Sequence, residues 1–297
     1  MKILYGLFEN NIDVSEICYN QLMKNSIITI PSRDNSRAAY FSDPIFGTLK
    51  KIIIIDNEGN TREYDDTLCV QINTITNEIT VTDVENFINN KINHLHSTLK
   101  INYGHFYEEL PEQKMAVKYL TGNEKVLEIG GNIGRNSLII SSILCSNNFV
   151  TLESDINIAN QLLENRNINN MNFHIESSAL SKRKLIQRGW DTIASDTLLD
   201  GYSPVNTITY DELVSKYNIN FDTLVLDCEG AFYYILMDMP EILNNINLII
   251  MENDYWDIEK KNFIDNILKS NNFYVEYSES GGWGPCYNNF FEVWKKR

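Results

Sequence analysis

The segment from Val126 to Arg135 limits the folds open to this chain more than any other feature. It reads Val-Leu-Glu-Ile-Gly-Gly-Asn-Ile-Gly-Arg. Its first four residues have a hydrophobic strand pattern, and its glycines predict a tight turn before a helix that starts at Arg135. In open α/β sheets, ligands bind at turns that follow the carboxyl ends of strands. The segment therefore predicts an α/β domain with a binding site at this turn.

The spacing of these glycines distinguishes two classes of cofactor. A dinucleotide-binding loop, GxGxxG, requires glycine where this chain has Asn132 and Arg135. The pattern Glu-x-Gly-x-x-x-Gly, from Glu128 to Gly134, is complete. An acid in the loop suits a zwitterion with an ammonium and a sulfonium better than it suits a pyrophosphate. We therefore expect S-adenosylmethionine as the cofactor, with contacts from Glu128, Gly130, Gly131, Asn132 and Gly134.

Two later segments extend the predicted cofactor site. Glu153 ends the next predicted strand, 23 residues after Gly130, and an acid at this place can accept both ribose hydroxyls. Ser154 follows it directly. The segment Ser177-Ser-Ala-Leu180 follows the third predicted strand, so the topology places Ser178 and Ala179 beside the adenine ring.

Strand and helix patterns alternate from about residue 113 to the end of the chain. The predicted strands are Lys125–Ile129, Asn148–Glu153, Asn172–Glu176, Phe221–Asp227, Asn247–Glu252, Phe273–Ser278 and Asn289–Trp294. The predicted helices are Arg135–Leu144, Asn157–Asn167, Thr209–Tyr217, Ala231–Asn244 and Ile258–Ser270. Such alternation favours a mostly parallel sheet covered on both faces. A glycine-rich loop joins the last two strands without a helix, which makes the final strand antiparallel.

The first part of the chain has a different pattern. Residues 1–80 contain short strand patterns at Ile27–Ile30, Lys51–Ile55 and Leu68–Ile72, and a short helix is predicted over Val14–Met23. We expect a small α+β accessory domain that assists acceptor binding or self-association, for example as a homodimer. Residues 81–112 are predicted to form a helical linker, with Thr82 and Glu85 as a capping box. Residues 113–297 form the predicted catalytic domain.

Composition and charge limit the partners and the compartment. The chain of 297 residues has 40 acidic and 25 basic side chains, and its formal net charge of −15 disfavours nucleic acid as a partner. Its five scattered cysteines favour free thiols over disulfides or a zinc site. No apolar run approaches the ~20 residues needed to span a bilayer. We therefore expect a soluble, cytoplasmic protein without a membrane partner.

Four motifs together resemble the FkbM family of methyltransferases across roughly residues 105 to 297. In chain order they are Leu127-Glu-Ile-Gly-Gly-Asn-Ile-Gly134, Thr207-x-x-x-Asp-Glu-Leu213, Asp227-Cys-Glu-Gly-Ala231 and Ile250-Met-Glu252. This chain departs from the usual family pattern at Glu128, Gly131 and Phe232, where the family usually has aspartate, alanine and glutamate. The resemblance implies a Rossmann-like class I methyltransferase fold, with a seven-stranded, mostly parallel sheet. It also implies O-methylation of a hydroxyl, commonly on a sugar or a polyketide-like product.

Acids that follow the fourth and fifth predicted strands are the candidate catalytic groups. A sugar hydroxyl is a poor nucleophile at neutral pH and benefits from a general base. We expect Asp227 or Glu229 to be that base, and Asp227 also to contact the cofactor. An alternative is a divalent cation such as Mg²⁺, because hard cations take oxygen ligands. Its ligands would be Asp227, Glu252 and Asp254.

Aromatic residues on predicted loops at the same edge of the sheet are candidate acceptor contacts. Aromatic rings stack on the apolar faces of sugars, although most tryptophans pack in cores. The candidates are Trp190, Tyr255, Trp256 and Trp283. We therefore expect an S-adenosylmethionine-dependent O-methyltransferase whose acceptor is a small molecule or glycan. Rival interpretations are a non-catalytic interaction module with this fold and a methyltransferase acting on a natural product, a protein or nucleic acid.

Overall fold

The computed structural model describes residues 1–189 and 191–297, and Trp190, a predicted acceptor contact, lies outside the described residues. The chain divides into two compact units, Met1–Lys91 and Ile92–Arg297. In the described part of the chain, no helix is both long and apolar enough to cross a membrane.

The first unit contains two four-stranded antiparallel sheets, in the orders β2-β1-β5-β6 and β3-β4-β7-β8. Its strands are β1 (Lys2–Leu7), β2 (Asn10–Asp13), β3 (Met23–Lys24), β4 (Ile27–Ile30), β5 (Lys51–Ile55), β6 (Thr61–Tyr64), β7 (Leu68–Asn73) and β8 (Ile79–Asp83). Its helices are α1 (Ser15–Gln21) and α2 (Asp34–Phe41), and α3 (Val84–Thr98) carries the boundary between the units. Alternate residues such as Ile28 and Ile30 are buried, as expected for strands with one face on a core.

The start of α3 differs from the prediction. Thr82 belongs to β8, and the side chain of Asp83 accepts a hydrogen bond from the backbone N–H of Asn86 at 3.0 Å. Glu85 instead forms an ion pair with Arg33. The predicted capping box was therefore wrong by one residue, because the strand extends to Asp83.

The second unit is built on a seven-stranded sheet in the order β11-β10-β9-β17-β18-β20-β19. The strands of this unit are β9 (Val126–Ile129), β10 (Phe149–Leu152), β11 (His174–Glu176), β12 (Ala179–Leu180), β13 (Leu185–Arg188), β14 (Asp191–Ala194), β15 (Ser203–Val205), β16 (Thr207–Ile208), β17 (Thr223–Leu226), β18 (Leu248–Glu252), β19 (Phe273–Glu279) and β20 (Phe291–Lys296). Its helices are α4 (Leu110–Tyr119), α5 (Arg135–Ile143), α6 (Ile156–Ile168), α7 (Tyr210–Tyr217), α8 (Ala231–Asp238) and α9 (Ile258–Ser270).

The pairing within this sheet confirms the predicted fold. Strands β11, β10, β9, β17 and β18 pair in parallel, and β20 runs antiparallel between β18 and β19. All residues of β9, β10 and β17 are buried, as expected for parallel strands covered on both faces. This is the Rossmann-like class I methyltransferase arrangement.

Helix α8 is shorter than predicted. It ends at Asp238, and a 3₁₀ turn covers Pro240–Leu243. Proline lacks a backbone N–H and disfavours helical geometry in the residue before it. Met239 accordingly has φ −140° and ψ 57°.

Candidate functional site

The glycine loop between β9 and α5 is held closely against its neighbours. Gly130 has φ +92°, and a Cβ at this residue would lie 1.6 Å from the backbone oxygen of Asp227. A Cβ at Gly131 would lie 2.2 Å from Oγ1 of Thr151. Both backbone N–H groups donate to the oxygen of Leu152, at 3.0 and 2.8 Å. The glycines are therefore required for close packing of the loop on β10 and β17.

A cavity of about 880 Å³ opens at the carboxyl ends of the central strands. This volume is in the usual range for small-molecule and cofactor sites, about 300–1,000 Å³. Ten of the predicted site residues line this main cavity, namely Gly130, Asn132, Glu153, Ser154, Ser178, Ala179, Asp227, Glu229, Glu252 and Trp283. The structure thus brings most of the predicted cofactor residues and both candidate bases to one space.

Glu153 is fixed at the end of β10 by backbone donors. Its Oε2 accepts from the N–H of Asn132 at 2.9 Å, and its Oε1 accepts from the N–H of Asp155 at 2.8 Å. Each carboxylate oxygen has a second lone pair, so both can still accept hydroxyl donors. Burial raises the pKa of Glu153 above its ordinary value. The geometry suits a carboxylate that accepts two hydroxyls of a ribose.

Glu128 lies inside the fold, away from the main cavity. The side chain is 1% exposed and accepts a hydrogen bond from Oγ of Ser137 on α5. Burial raises the pKa of Glu128 to about 7. The expected direct cofactor contact does not match this position, because the third residue of β9 points under the loop.

Gly131 and Gly134 also lie outside the lining of the main cavity. Gly131 faces Thr151, and a Cβ at Gly134 would lie 3.2 Å from the side chain of Leu162. Gly134 has φ +94° and precedes the first residue of α5. Both glycines therefore shape the loop from within.

The predicted acceptor aromatics differ in position. Trp283 lines the main cavity, and the ring centroid of Trp256 lies 4.3 Å from that of Trp283. Trp256 is 78% exposed and Trp283 is 39% exposed. Tyr255 is buried and packs near Gly230, so the structure contradicts its predicted role as an exposed acceptor contact.

Strands β13, β14 and β15 form a small antiparallel sheet in the order β14-β13-β15. Several of its residues line the main cavity, among them Leu185, Gln187 and Ile193. Oγ of Ser154 donates to Oε1 of Gln187 at 3.2 Å, which joins this sheet to the end of β10. We name this sheet the cover sheet, because it forms one wall of the cavity.

Acidic side chains from three parts of the second unit meet at the main cavity. Asp227 and Glu229 follow β17, Glu252 ends β18, and Glu112 comes from the first turn of α4. We call these four residues the carboxyl cluster. Sequence reasoning missed Glu112, because only the tertiary fold brings α4 to the sheet edge.

The carboxyl cluster is shifted toward its protonated forms. Burial raises the pKa of Asp227 well above its ordinary value, and Glu252 raises it further. Burial and the carboxyl of Glu112 raise the pKa of Glu252 to about 9. A hydrogen bond with Asp254 and, to a smaller extent, burial raise the pKa of Glu229 to about 8. The cluster therefore favours positive charge or hydrogen-bond donors.

The predicted divalent cation site is not supported by this arrangement. Among the described residues, no three His, Cys, Asp or Glu side chains are placed to hold a metal ion. Glu252 pairs with Glu112, and Asp254 pairs with Glu229, so the acids meet in two separate pairs. The interpretation of Asp227, Glu252 and Asp254 as metal ligands was therefore wrong for this geometry.

No protein-family model matches the sequence, and no curated protein matches it. Solved structures with partial similarity include a ribosomal protein L11 methylase from Lactobacillus delbrueckii subsp. bulgaricus, with 10% identity over 66% of this chain and 82% of that chain and a TM-score of 0.41. An O-methyltransferase from Bacillus cereus in complex with SAH has 16% identity over 72% of this chain and 90% of that chain, with a TM-score of 0.40. An rRNA methylase from Streptococcus thermophilus has 8% identity over 62% of this chain and 93% of that chain, with a TM-score of 0.39. At this level of similarity, none of the three assigns a reaction or a substrate to this chain.

Proposed function

We propose that this chain is an S-adenosylmethionine-dependent O-methyltransferase that acts on a hydroxyl of a sugar or glycan. The observation that carries the proposal is the placement of Glu153 and Asp227 on the wall of one cavity, on either side of the glycine loop. The sequence resemblance to the FkbM family supports the same reaction.

The cavity offers a different group to each part of the cofactor. Glu153 would accept the ribose hydroxyls, and Ser178 and Ala179 would border the adenine. Gly130 and Asn132 would face the amino-acid part, beside Asp227. The bound cofactor supplies a methyl group on a positively charged sulfur, and the acidic wall suits that charge.

The protein would position the acceptor and hold its proton. Methyl transfer is an in-line displacement, so alignment of the hydroxyl with the methyl group accounts for much of the rate. Asp227 or Glu229 would accept the hydroxyl proton, and a positive charge in the cavity lowers the pKa of nearby carboxyls into a range suited to a base. Glu229 has φ +50°, a strained conformation for a non-glycine residue that is found at functional sites.

Two exposed tryptophans and the cover sheet would bind the acceptor. The ring of Trp283 is both exposed and part of the cavity lining, and Trp256 extends that aromatic surface outward. Such a surface suits the apolar face of a sugar ring. Cover-sheet residues such as Ile193 would exclude water from the opposite wall.

The test is transfer of labelled methyl from S-adenosylmethionine to a panel of sugar glycosides, with products identified by mass spectrometry. Asp227→Asn should lower turnover by about 10²–10⁴-fold if Asp227 is the base, while S-adenosylhomocysteine still binds. Glu229→Gln should have that effect if Glu229 is the base. Unchanged turnover in both variants would refute a base at this edge of the sheet.

A further inference from the structure

The charges that line the main cavity are strongly unbalanced. Within the described residues, its only basic side chains are Arg135 and Arg183. Its acidic side chains are Glu108, Glu109, Glu112, Glu153, Asp227, Glu229, Asp238 and Glu252. An anionic acceptor would therefore be repelled, whereas a cation would be attracted.

Both arginines are already paired with acids. Nη1 of Arg135 lies 2.9 Å from Oε1 of Glu109, and Nη2 also contacts Glu108. Nε of Arg183 donates to Asp238 at 2.6 Å, and Nη2 donates to the same carboxylate at 2.9 Å. The acids left without a basic partner are Glu153 and the carboxyl cluster.

Among the described residues, two buried acceptor atoms at the carboxyl cluster receive no hydrogen bond from the protein. Glu112 is 7% exposed, and its Oε2 receives no hydrogen bond. Oδ1 of Asn136, a residue 6% exposed, also lacks a donor. Both residues line a small chamber of about 10 Å³ under Gly130, together with Asp227 and Glu252. That volume is close to the minimum for one water molecule, so the chamber has room for a single small donor, and it shares Glu112, Asp227 and Glu252 with the main cavity.

We propose that the acceptor carries a primary or secondary ammonium group, which binds to the carboxyl cluster beside the hydroxyl that is methylated. An ammonium offers up to three donors, no acceptor and one positive charge, which matches this wall. The inference rests on the proposed function, because it names the class of the methyl acceptor. An amino sugar with a free amine is the simplest acceptor of this class.

The cofactor alone does not balance this wall. Its ammonium and sulfonium carry two positive charges and its carboxylate one negative charge, so it brings a single net positive charge. The carboxyl cluster has four acids, and Glu229 also contacts Asp254. Even if the pairs Glu112–Glu252 and Glu229–Asp254 each share one proton, negative charge remains for a second cation.

The test compares binding of three trisaccharides to the protein loaded with S-adenosylhomocysteine. The probes are a glucosamine trimer, its fully N-acetylated counterpart and a galacturonate trimer, each titrated by calorimetry. We expect the glucosamine trimer to bind at least about tenfold more tightly than the other two. Glu112→Gln should weaken that binding about tenfold. Glu276→Gln, a change at an acid outside the cavity that contacts Lys295, should leave it nearly unchanged.

Each outcome decides the inference. Equal binding of the N-acetylated or uronate trimer, no binding of the glucosamine trimer, or equal effects of the two substitutions would overturn it. Binding of S-adenosylhomocysteine is measured first, so loss of the proposed function is seen separately. If that ligand does not bind, the same titrations on the unloaded protein test the ammonium site alone.

Discussion

Replacement of Glu128 by glutamine should stabilise the protein at alkaline pH. Burial raises the pKa of Glu128 from 4.5 to about 7, although Ser137 donates a hydrogen bond to it. The folded state therefore binds this proton more tightly than the unfolded state, so the free energy of unfolding falls as pH rises from 4.5 to about 7. A rise in pKa of this size lowers the free energy of unfolding by about 3 kcal/mol at pH values above that range. Glutamine keeps an oxygen that accepts from Ser137 and has no charge to bury.

The assay is urea unfolding of Glu128→Gln and the native protein, followed by tryptophan fluorescence, at about pH 5 and about pH 8. The variant should match the native protein at the lower pH and exceed it by up to about 3 kcal/mol at the higher pH. Glu124→Gln is the control, and its effect on the free energy of unfolding at the higher pH should have the opposite sign. Burial raises the pKa of Glu124, but hydrogen bonds from Thr121 and Gly122 outweigh it and lower the pKa overall. The same difference for Glu128→Gln at both pH values would show that folding does not raise the pKa of Glu128.

Three further substitutions test other parts of the structure. Glu153→Gln should weaken binding of S-adenosylhomocysteine about 10- to 100-fold, because a hydrogen bond to a charged acceptor contributes about 1.5–3 kcal/mol. The affinity is measured by calorimetry, and an unchanged affinity would show that Glu153 does not bind the ribose. Trp283→Ala should raise KM for a sugar acceptor several-fold with little change in kcat, and steady-state kinetics with the reverse pattern would contradict a binding role. Arg37→Met should lower the free energy of unfolding by about 3 kcal/mol or more. Arg37 is buried, and its side chain donates to the backbone oxygens of Pro31, Asp65 and Leu68. A urea midpoint equal to that of the native protein would contradict this expectation.

The fold of the second unit was predictable because its signals are local. A hydrophobic run followed by glycines defined β9 and its turn, and the predicted α9 has the bounds found in the structure, Ile258–Ser270. Strands β13, β14 and β15 were missed because they are short and mix apolar with polar residues, as in Leu185-Ile-Gln-Arg188. These strands form because they pair with one another, and no single strand has a clear hydrophobic pattern.

The first unit was predicted only in part. Its most apolar strand, Lys51–Ile55, was found at the predicted bounds. The helix Asp34–Phe41 was missed, since its Asp-Asn-Ser-Arg start lacks a clear apolar period. The sequence also gives no sign that Arg37 is completely buried, because its partners are backbone oxygens from distant turns.

The candidate site shows where sequence reasoning reaches its limit. The carboxyl ends of strands could be located, so Glu153, Asp227 and Glu229 were placed at one edge of the sheet. The side on which a strand residue points could not be read from β9, because parallel strands are apolar on both faces. Glu128 was therefore expected in the cofactor site but lies under the loop. The contribution of Glu112 depends on how α4 packs, which no local pattern records.

Cofactor binding at the glycine loop is tested by calorimetric titration of S-adenosylhomocysteine into the purified protein, with Gly130→Val as the matched control. A side chain at Gly130 would overlap the backbone oxygen of Asp227, so the variant should not form the loop. We expect micromolar binding to the native protein, equivalent to about −8 kcal/mol, and no binding to the variant. Absence of binding to the native protein, or equal binding to both proteins, would contradict it.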